Sequence, residues 1–247
     1  MKMLRLFGKF SLLVFAIFIA PALIHFAVWS MQDRPTSWRN ANWSSAGILP
    51  AAIADQQAKV YVFSARTGGI KGAFATHSWL VLKPKNASQY DRYDVVGWGR
   101  PVRRNGYDAD ARWYSNIPKI ETVIVGARAE NLIPKIEQAI ANYRWQNYGD
   151  YTIWPGPNSN TFVASVIRAV DGFDARTPST AVGRDYPDHD NWFDYDPSGT
   201  LRLSAGGYAG LVVGLDEGLE LNFLGLVAGI NPVNMEIKIP GFGSFRL

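Results

Sequence analysis

The chain has 247 residues, 47% of them hydrophobic and 13% aromatic, which supplies a substantial core and excludes a disordered segment. Its formal charge of +4 is local: Lys2, Arg5 and Lys9 precede every acid, and the remainder carries 22 basic against 21 acidic residues, so the concentrated basic face of a nucleic-acid binder is excluded. With no cysteine, disulfides, thiolate metal sites and a cysteine nucleophile are excluded too, leaving serine or threonine for covalent chemistry.

From Phe10 to Trp29 the run FSLLVFAIFIAPALIHFAVW has only Ser11 and His25 as polar members. A helix of that length, rising about 1.5 Å per residue, spans a hydrocarbon core of about 30 Å. Residues 1–31 therefore read as a basic cytoplasmic tip and a single transmembrane anchor. The three early cations place the domain across the inner membrane, facing the periplasm. A cleaved signal peptide is the competing reading, because Ala20-Pro21-Ala22 imitates a processing site, although apolar sequence continues beyond it. Membrane lipid is the partner this segment implies, and His25, within one turn of the exit end, is expected at the interface.

Residues 32–58 read as a tether and lead-in, with a short helix over Ala51–Gln57, and residues 59–247 as one extracytoplasmic domain. KVYVFSA at 59–65, FATHSWLVLK at 74–83, YDVVGWG at 93–99 and ETVIVGA at 121–127 read as strands, the first two joined as a hairpin through TGGIKG. Arg100, Arg103 and Arg104 are expected in a solvated loop. AENLIPKIEQAIANY at 129–143 and NTFVASVIRAV at 160–170 have helical spacing, with Leu132, Ile136, Phe162 and Val166 available to the core. From Thr200 the sequence turns Gly-rich and apolar. Asp216, Glu217 and Glu220 would be costly in hydrocarbon, so a β-hairpin turning near Asp216–Gly218 is expected there rather than a second span. The element order gives an α+β domain with a C-terminal Gly-rich β extension.

Pro155-Gly156-Pro157 blocks regular structure immediately before a helical pattern, which places Asn158, Ser159 and Asn160 at a helix N-terminus with unpaired backbone N–H groups. A nucleophile there would have oxyanion donors at hand. Ser159 is the candidate nucleophile, His77 its base and Asp94 the group that orients the imidazole. The alternative is that Asn and Ser cap the helix and His77, sharing a strand face with Trp79 and Val81, is a packing residue. Trp79 and Trp154, with Asn158 and Asn160, are the candidate substrate contacts. Trp98, Trp113 and Trp145 could line a ligand cleft with them, but a core needs large residues and packing is the first explanation for all five. DYPDHDNWFDYD at 185–196 offers Asp185, Asp188, Asp190, Asp194 and Asp196, but without the spacing and glycine of a calcium loop. His25, His77 and His189 stand at no ligand spacing, so neither metal nor cofactor is expected.

HSWLVLKP, YDVVGWG and WPGPNSNTFV resemble an uncharacterised bacterial envelope family, the domain of unknown function numbered 3750, over most of residues 55–247. A strand histidine followed much later by an Asn-Cys pair opening a helix is, more distantly, similar to the permuted papain-like superfamily that includes the lecithin retinol acyltransferase group. His77 matches the histidine and Asn158-Ser159 the Asn-Cys pair. That resemblance implies a papain-like cleft and acyl transfer or hydrolysis on an envelope peptide, glycan-peptide or lipid. Serine in place of cysteine departs from the pattern, since a hydroxyl is far harder to deprotonate than a thiol. A non-catalytic binding or structural module is the other reading.

Overall fold

Helix begins earlier than the apolar run does. In the computed structural model, which describes residues 1–188, 192–196 and 199–247, α1 (Lys2–Val14), one π turn (Phe15–Ile19) and α2 (Ala20–Ser30) form a single helix, Lys2–Ser30, long and apolar enough to cross a membrane. Lys2, Arg5 and Lys9 recur at helical spacing and so share one face of α1, which carries no buried residue. The π turn and α2 pack on the body. Phe18 meets Phe223 at 5.6 Å between ring centroids, His25 Nδ1 donates to the Ala73 carbonyl at 2.5 Å, and Trp29 Nε1 donates to the Gly69 carbonyl at 3.0 Å. Gly72 lets the Trp29 ring in, because a Cβ there would stand 2.2 Å from it.

Five antiparallel strands form the first sheet, β1 (Lys59–Arg66), β2 (Thr76–Lys83), β3 (Asp91–Val95), β4 (Val102–Arg104) and β5 (Lys119–Val125), in the order β4-β3-β2-β1-β5. β-Branched and aromatic residues dominate β1 and β2, which pair from Lys59–Lys83 to Arg66–Thr76. Alternation divides the sheet. Val60, Val62, Leu80 and Leu82 form one core with α3 (Ala127–Ala141) and α4 (Ser159–Ala169), through residues such as Ile136, Phe162 and Val166. Tyr61, Phe63, Trp79 and Val81 form a second core with Val96 and Trp113 on the opposite face. α3 runs through Pro134 without ending.

Two expectations are corrected in this sheet and its lead-in. The arginine-rich loop contributes β4, and Arg104 Nη2 pairs with Asp91 at 2.9 Å across the β3–β4 ladder. Ala51–Gln57 is not a helix: only Ala52–Ala54 makes a 3-10 turn, after which the Asp55 carboxylate accepts the Gln57 N–H at 2.9 Å and turns the chain. The lead-in is also packed before that point, with Trp43 against Trp113 and the Ile48 and Leu49 N–H groups donating to Asp110.

The Gly-rich extension is a complete second sheet. β6 (Phe193–Tyr195), β7 (Leu201–Ala205), β8 (Ala209–Gly214), β9 (Gly218–Phe223), β10 (Leu226–Asn231), β11 (Glu236–Ile239) and β12 (Gly243–Arg246) pair sequentially as an antiparallel meander. The expected turn near Asp216–Gly218 joins β8 to β9, with Gly214 opposite Gly218. Arg66 ties the sheets together, donating to the carbonyls of Gly72 and Ala73 in the β1–β2 turn and of Gly241 and Phe242 before β12. In the acidic stretch, Asp185 accepts from Asn222 Nδ2 at 2.7 Å and Asp188 from Arg168 Nε at 2.6 Å; Asp190 and His189 lie outside the described residues.

Candidate functional site

Asn158 starts α4, and its side chain does the capping. Its Oδ1 accepts the N–H groups of Asn160 at 2.9 Å and Thr161 at 3.2 Å, while Thr161 Oγ1 accepts the Asn158 N–H at 3.1 Å, a reciprocal capping box. Asn158 Nδ2 donates onward to the carbonyls of Ile153 and Val182, each at 3.1 Å. Gly183, in the left-handed region at φ +96°, permits that approach, because a Cβ would fall 2.3 Å from Asn158 Nδ2. Asn160 Nδ2 donates to the carbonyls of Thr76 at 2.9 Å and Val182 at 2.8 Å, fastening the helix start to the start of β2. Ser159 is buried on the stripe that continues through Phe162, Val163 and Val166 toward the first core. Its hydroxyl makes no hydrogen bond among the described residues.

His77 lies on β2 with its ring directed to the other core. It stacks on Trp113 at 3.7 Å between centroids and 4° between planes, and its Nε2 stands 3.4 Å from Asp94 Oδ2. The same carboxylate oxygen accepts Arg92 Nη2 at 2.9 Å. Arg92 and Asp94 are wholly buried; the guanidinium also donates to the Asp108 carbonyl at 3.0 Å and lies 4.1 Å from the Trp79 ring centroid. Burial, with the Arg92 cation, lowers the His77 imidazole against the opposing pull of Asp94. Burial alone would raise the Asp94 carboxyl, but the His77 contact and the Arg92 charge outweigh it and hold it below its ordinary value.

The structure thus brings His77 and Asp94 together and sets Ser159 apart from them. Thr76, Ser78 and Leu80 alternate with His77 and Trp79, and it is the Leu80 face on which α4 packs. No hydrogen bond joins His77 to Ser159. Trp79 is fully buried, stacked on Phe63 and bonded through Nε1 to the Ala109 carbonyl at 2.8 Å. Trp154 lies elsewhere, half exposed, bonded to the Leu224 carbonyl at 3.0 Å and edge-on to Tyr208 of the β7–β8 turn. These two tryptophans line no common cleft.

A cavity of about 660 Å³ opens instead between the helical side of the first sheet and the polar face of the second. Ser64, Thr76 and Glu121 line it from below, Arg176, Arg184 and Glu220 from above. Thr76 Oγ1 is buried without a hydrogen-bond partner among the described residues, as are Ser78 Oγ and Asn160 Oδ1 nearby on the same side. Burial opposes ionisation of Glu220, yet Arg184 and Lys238, both in direct contact with it, hold it below the usual carboxylate range. Arg92 and Arg184 have no role in the sequence pattern, and Glu220 enters it only as a charge against a second span. The signal present was Leu219-Glu220-Leu221-Asn222, a period-two alternation that puts an acid on a strand face.

A family model described as a protein of unknown function (DUF3750) matches residues 57–186, which include β1–β5, α3 and α4 but neither the N-terminal helix nor the second sheet. No curated protein and no solved structure matches the chain.

Proposed function

We propose that this chain, which belongs to the DUF3750 family of unknown function, is a membrane-anchored binding module of the bacterial envelope. It takes the polar part of an envelope peptide, glycan-peptide or lipid into the cavity between its two sheets. The observation that carries this reading is the cavity itself, lined by Thr76, whose hydroxyl is buried at its wall with no hydrogen-bond partner among the described residues. An orphaned buried hydroxyl is costly unless a ligand or water completes it. Glu121 and Arg176 supply charge of both signs around it. In this reading Asn158 is a cap and His77 a packing residue, as their contacts favour. The apolar helix holds the domain at the inner membrane, and its three N-terminal cations favour the periplasmic side for the domain.

Calorimetric titration of the full chain in detergent with soluble muropeptides, and separately with short-chain phosphatidylglycerol, tests the reading. Saturable binding of one probe, weakened by Thr76→Val without loss of thermal stability, is expected. Absence of binding to both, or identical binding by Thr76→Val, would overturn it. The second reading is a papain-like acyl hydrolase or transferase with Ser159 as nucleophile, His77 as base and Asp94 behind it. It draws support from the His77–Asp94 pair and from the helix terminus at Ser159, while the placement of His77 and Ser159 on opposite faces of the first sheet counts against it. Fast alkylation of a Ser159→Cys thiol, abolished by His77→Ala, would favour that reading; slow alkylation indifferent to His77 would favour the binding module.

A further inference from the structure

The second sheet has the polarity of its faces reversed. Where strands usually turn apolar residues toward a protein core, here Glu220, Lys238 and Arg202 face the body and its cavity. Register puts Val213, Leu219 and Ile230 side by side, continued by Ile237 and Phe245, on the opposite face. From Phe193 to Phe245 no position of that face in any of the seven strands is charged. At about 4.8 Å between strands it is about 29 Å across. Leu219, Leu221 and Ile230 are 44%, 45% and 52% exposed, so nothing among the described residues covers them. A face this large and apolar calls for an occupant.

The N-terminal helix identifies it. Phe18 sits on Phe223, a member of the apolar face, and Ala22 and His25 follow on Gly241 at the β11–β12 turn. The helix therefore runs across the strands at one end of the sheet, and its half from Phe18 to Trp29 is held against the body. Only Phe10–Ile17 remains as free apolar helix, about 12 Å at 1.5 Å per residue, against about 30 Å for a hydrocarbon core. A perpendicular crossing in this docked state would carry the sheet, with its open edges, into the hydrocarbon. Lying along the leaflet, the same helix directs Lys2, Arg5 and Lys9 from one face of α1 toward lipid phosphates, the pattern of an interfacial helix.

We infer that in the docked state the apolar face of the second sheet and the N-terminal helix together lie on the bilayer as one platform, with lipid acyl chains as the occupant of that face. The inference rests on the membrane-anchoring part of the proposed function and replaces its crossing helix, and with it the side read from the three cations, by a helix lying on one leaflet. The chain has no native cysteine, so single thiols report their positions without background. Full-length Leu221→Cys, Ile230→Cys, Leu13→Cys and Ser88→Cys carrying an environment-sensitive fluorophore are reconstituted into vesicles of phosphatidylethanolamine and phosphatidylglycerol containing doxyl-labelled lipid.

Quenching of Leu221 and Ile230 labels severalfold above the Ser88 label, together with Leu13, is expected. Quenching at Leu13 alone overturns the sheet's role and leaves the helix as anchor; quenching at none of them overturns both. In sealed vesicles, an impermeant thiol reagent added from one side should reach Met3→Cys and Ser88→Cys together. Labelling of the two from opposite sides would show a crossing helix and overturn the platform.

Discussion

Replacing Asp94 by asparagine tests whether the His77 cluster is held together by its buried ion pair. The substitution keeps the shape of the side chain but removes the charge that neutralises Arg92, and both groups are fully buried. The guanidinium would retain only neutral acceptors, the Asp108 carbonyl and the new amide oxygen, with the face of Trp79, and its Nε has no partner among the described residues. Cation–π contact is worth about 0.5–2 kcal/mol, whereas breaking one side of a buried pair costs about 3–5 kcal/mol. The expected loss is therefore several kcal/mol, or a fall in melting temperature of about 6–20 °C for a domain of this size. Near-UV circular dichroism of the tryptophan-rich protein, followed through thermal unfolding in detergent, measures it.

The pH profile adds an independent readout. Because folding lowers His77, the unfolded chain takes up a proton first as pH drops through the ordinary imidazole value of 6.5, and stability falls until the lowered folded value is reached. Asp94 opposes that lowering, so Asp94→Asn should extend the loss to lower pH. Below 3.8 the wild type should also lose the stabilisation that depends on ionised Asp94, a step the variant lacks. A loss under about 1 kcal/mol with an unchanged profile above pH 4 would refute the buried-pair account.

Asn158→Ala should cost about 1–2 kcal/mol in denaturant unfolding, near the upper end for a cap because its amide also holds Ile153 and Val182, while Ser159→Ala should cost little; the opposite ranking would contradict the assignment of the cap. Glu220→Gln should destabilise by about 3–5 kcal/mol, since it strands Arg184 and Lys238 together, and adding Lys238→Met should recover part of that; additive losses in the double variant would deny the coupling.

Local chemistry carried most of what was legible in the sequence. The β1–β2 hairpin, the helix through Pro134 and the helix start after Pro155-Gly156-Pro157 follow from alternation, periodicity and capping, each of which acts over a few residues. Pairing across long separations was not legible. Nothing in Ser159 or His77 declares which side of β2 each side chain takes, yet that parity decides whether they meet. Arg92 looks like a surface charge until Asp94, Trp79 and Asp108 are folded around it. The glycine-rich tail is apolar in composition, but its inverted polarity appears only when Glu220 and Lys238 are brought together across two ladders.

An open sheet carries its own limit on immersion. β6 and β12 are edge strands, and their outward N–H and C=O groups have no neighbour in the meander. Each such group transferred unpaired into hydrocarbon costs several kcal/mol, so the edges must stay hydrated even where the leucines between them do not. Lipid can therefore wet this surface only to the depth of its side chains, about 5–10 Å. The backbone then works as a float line: it fixes how deep the protein rides, independently of how strongly the leucines favour going deeper.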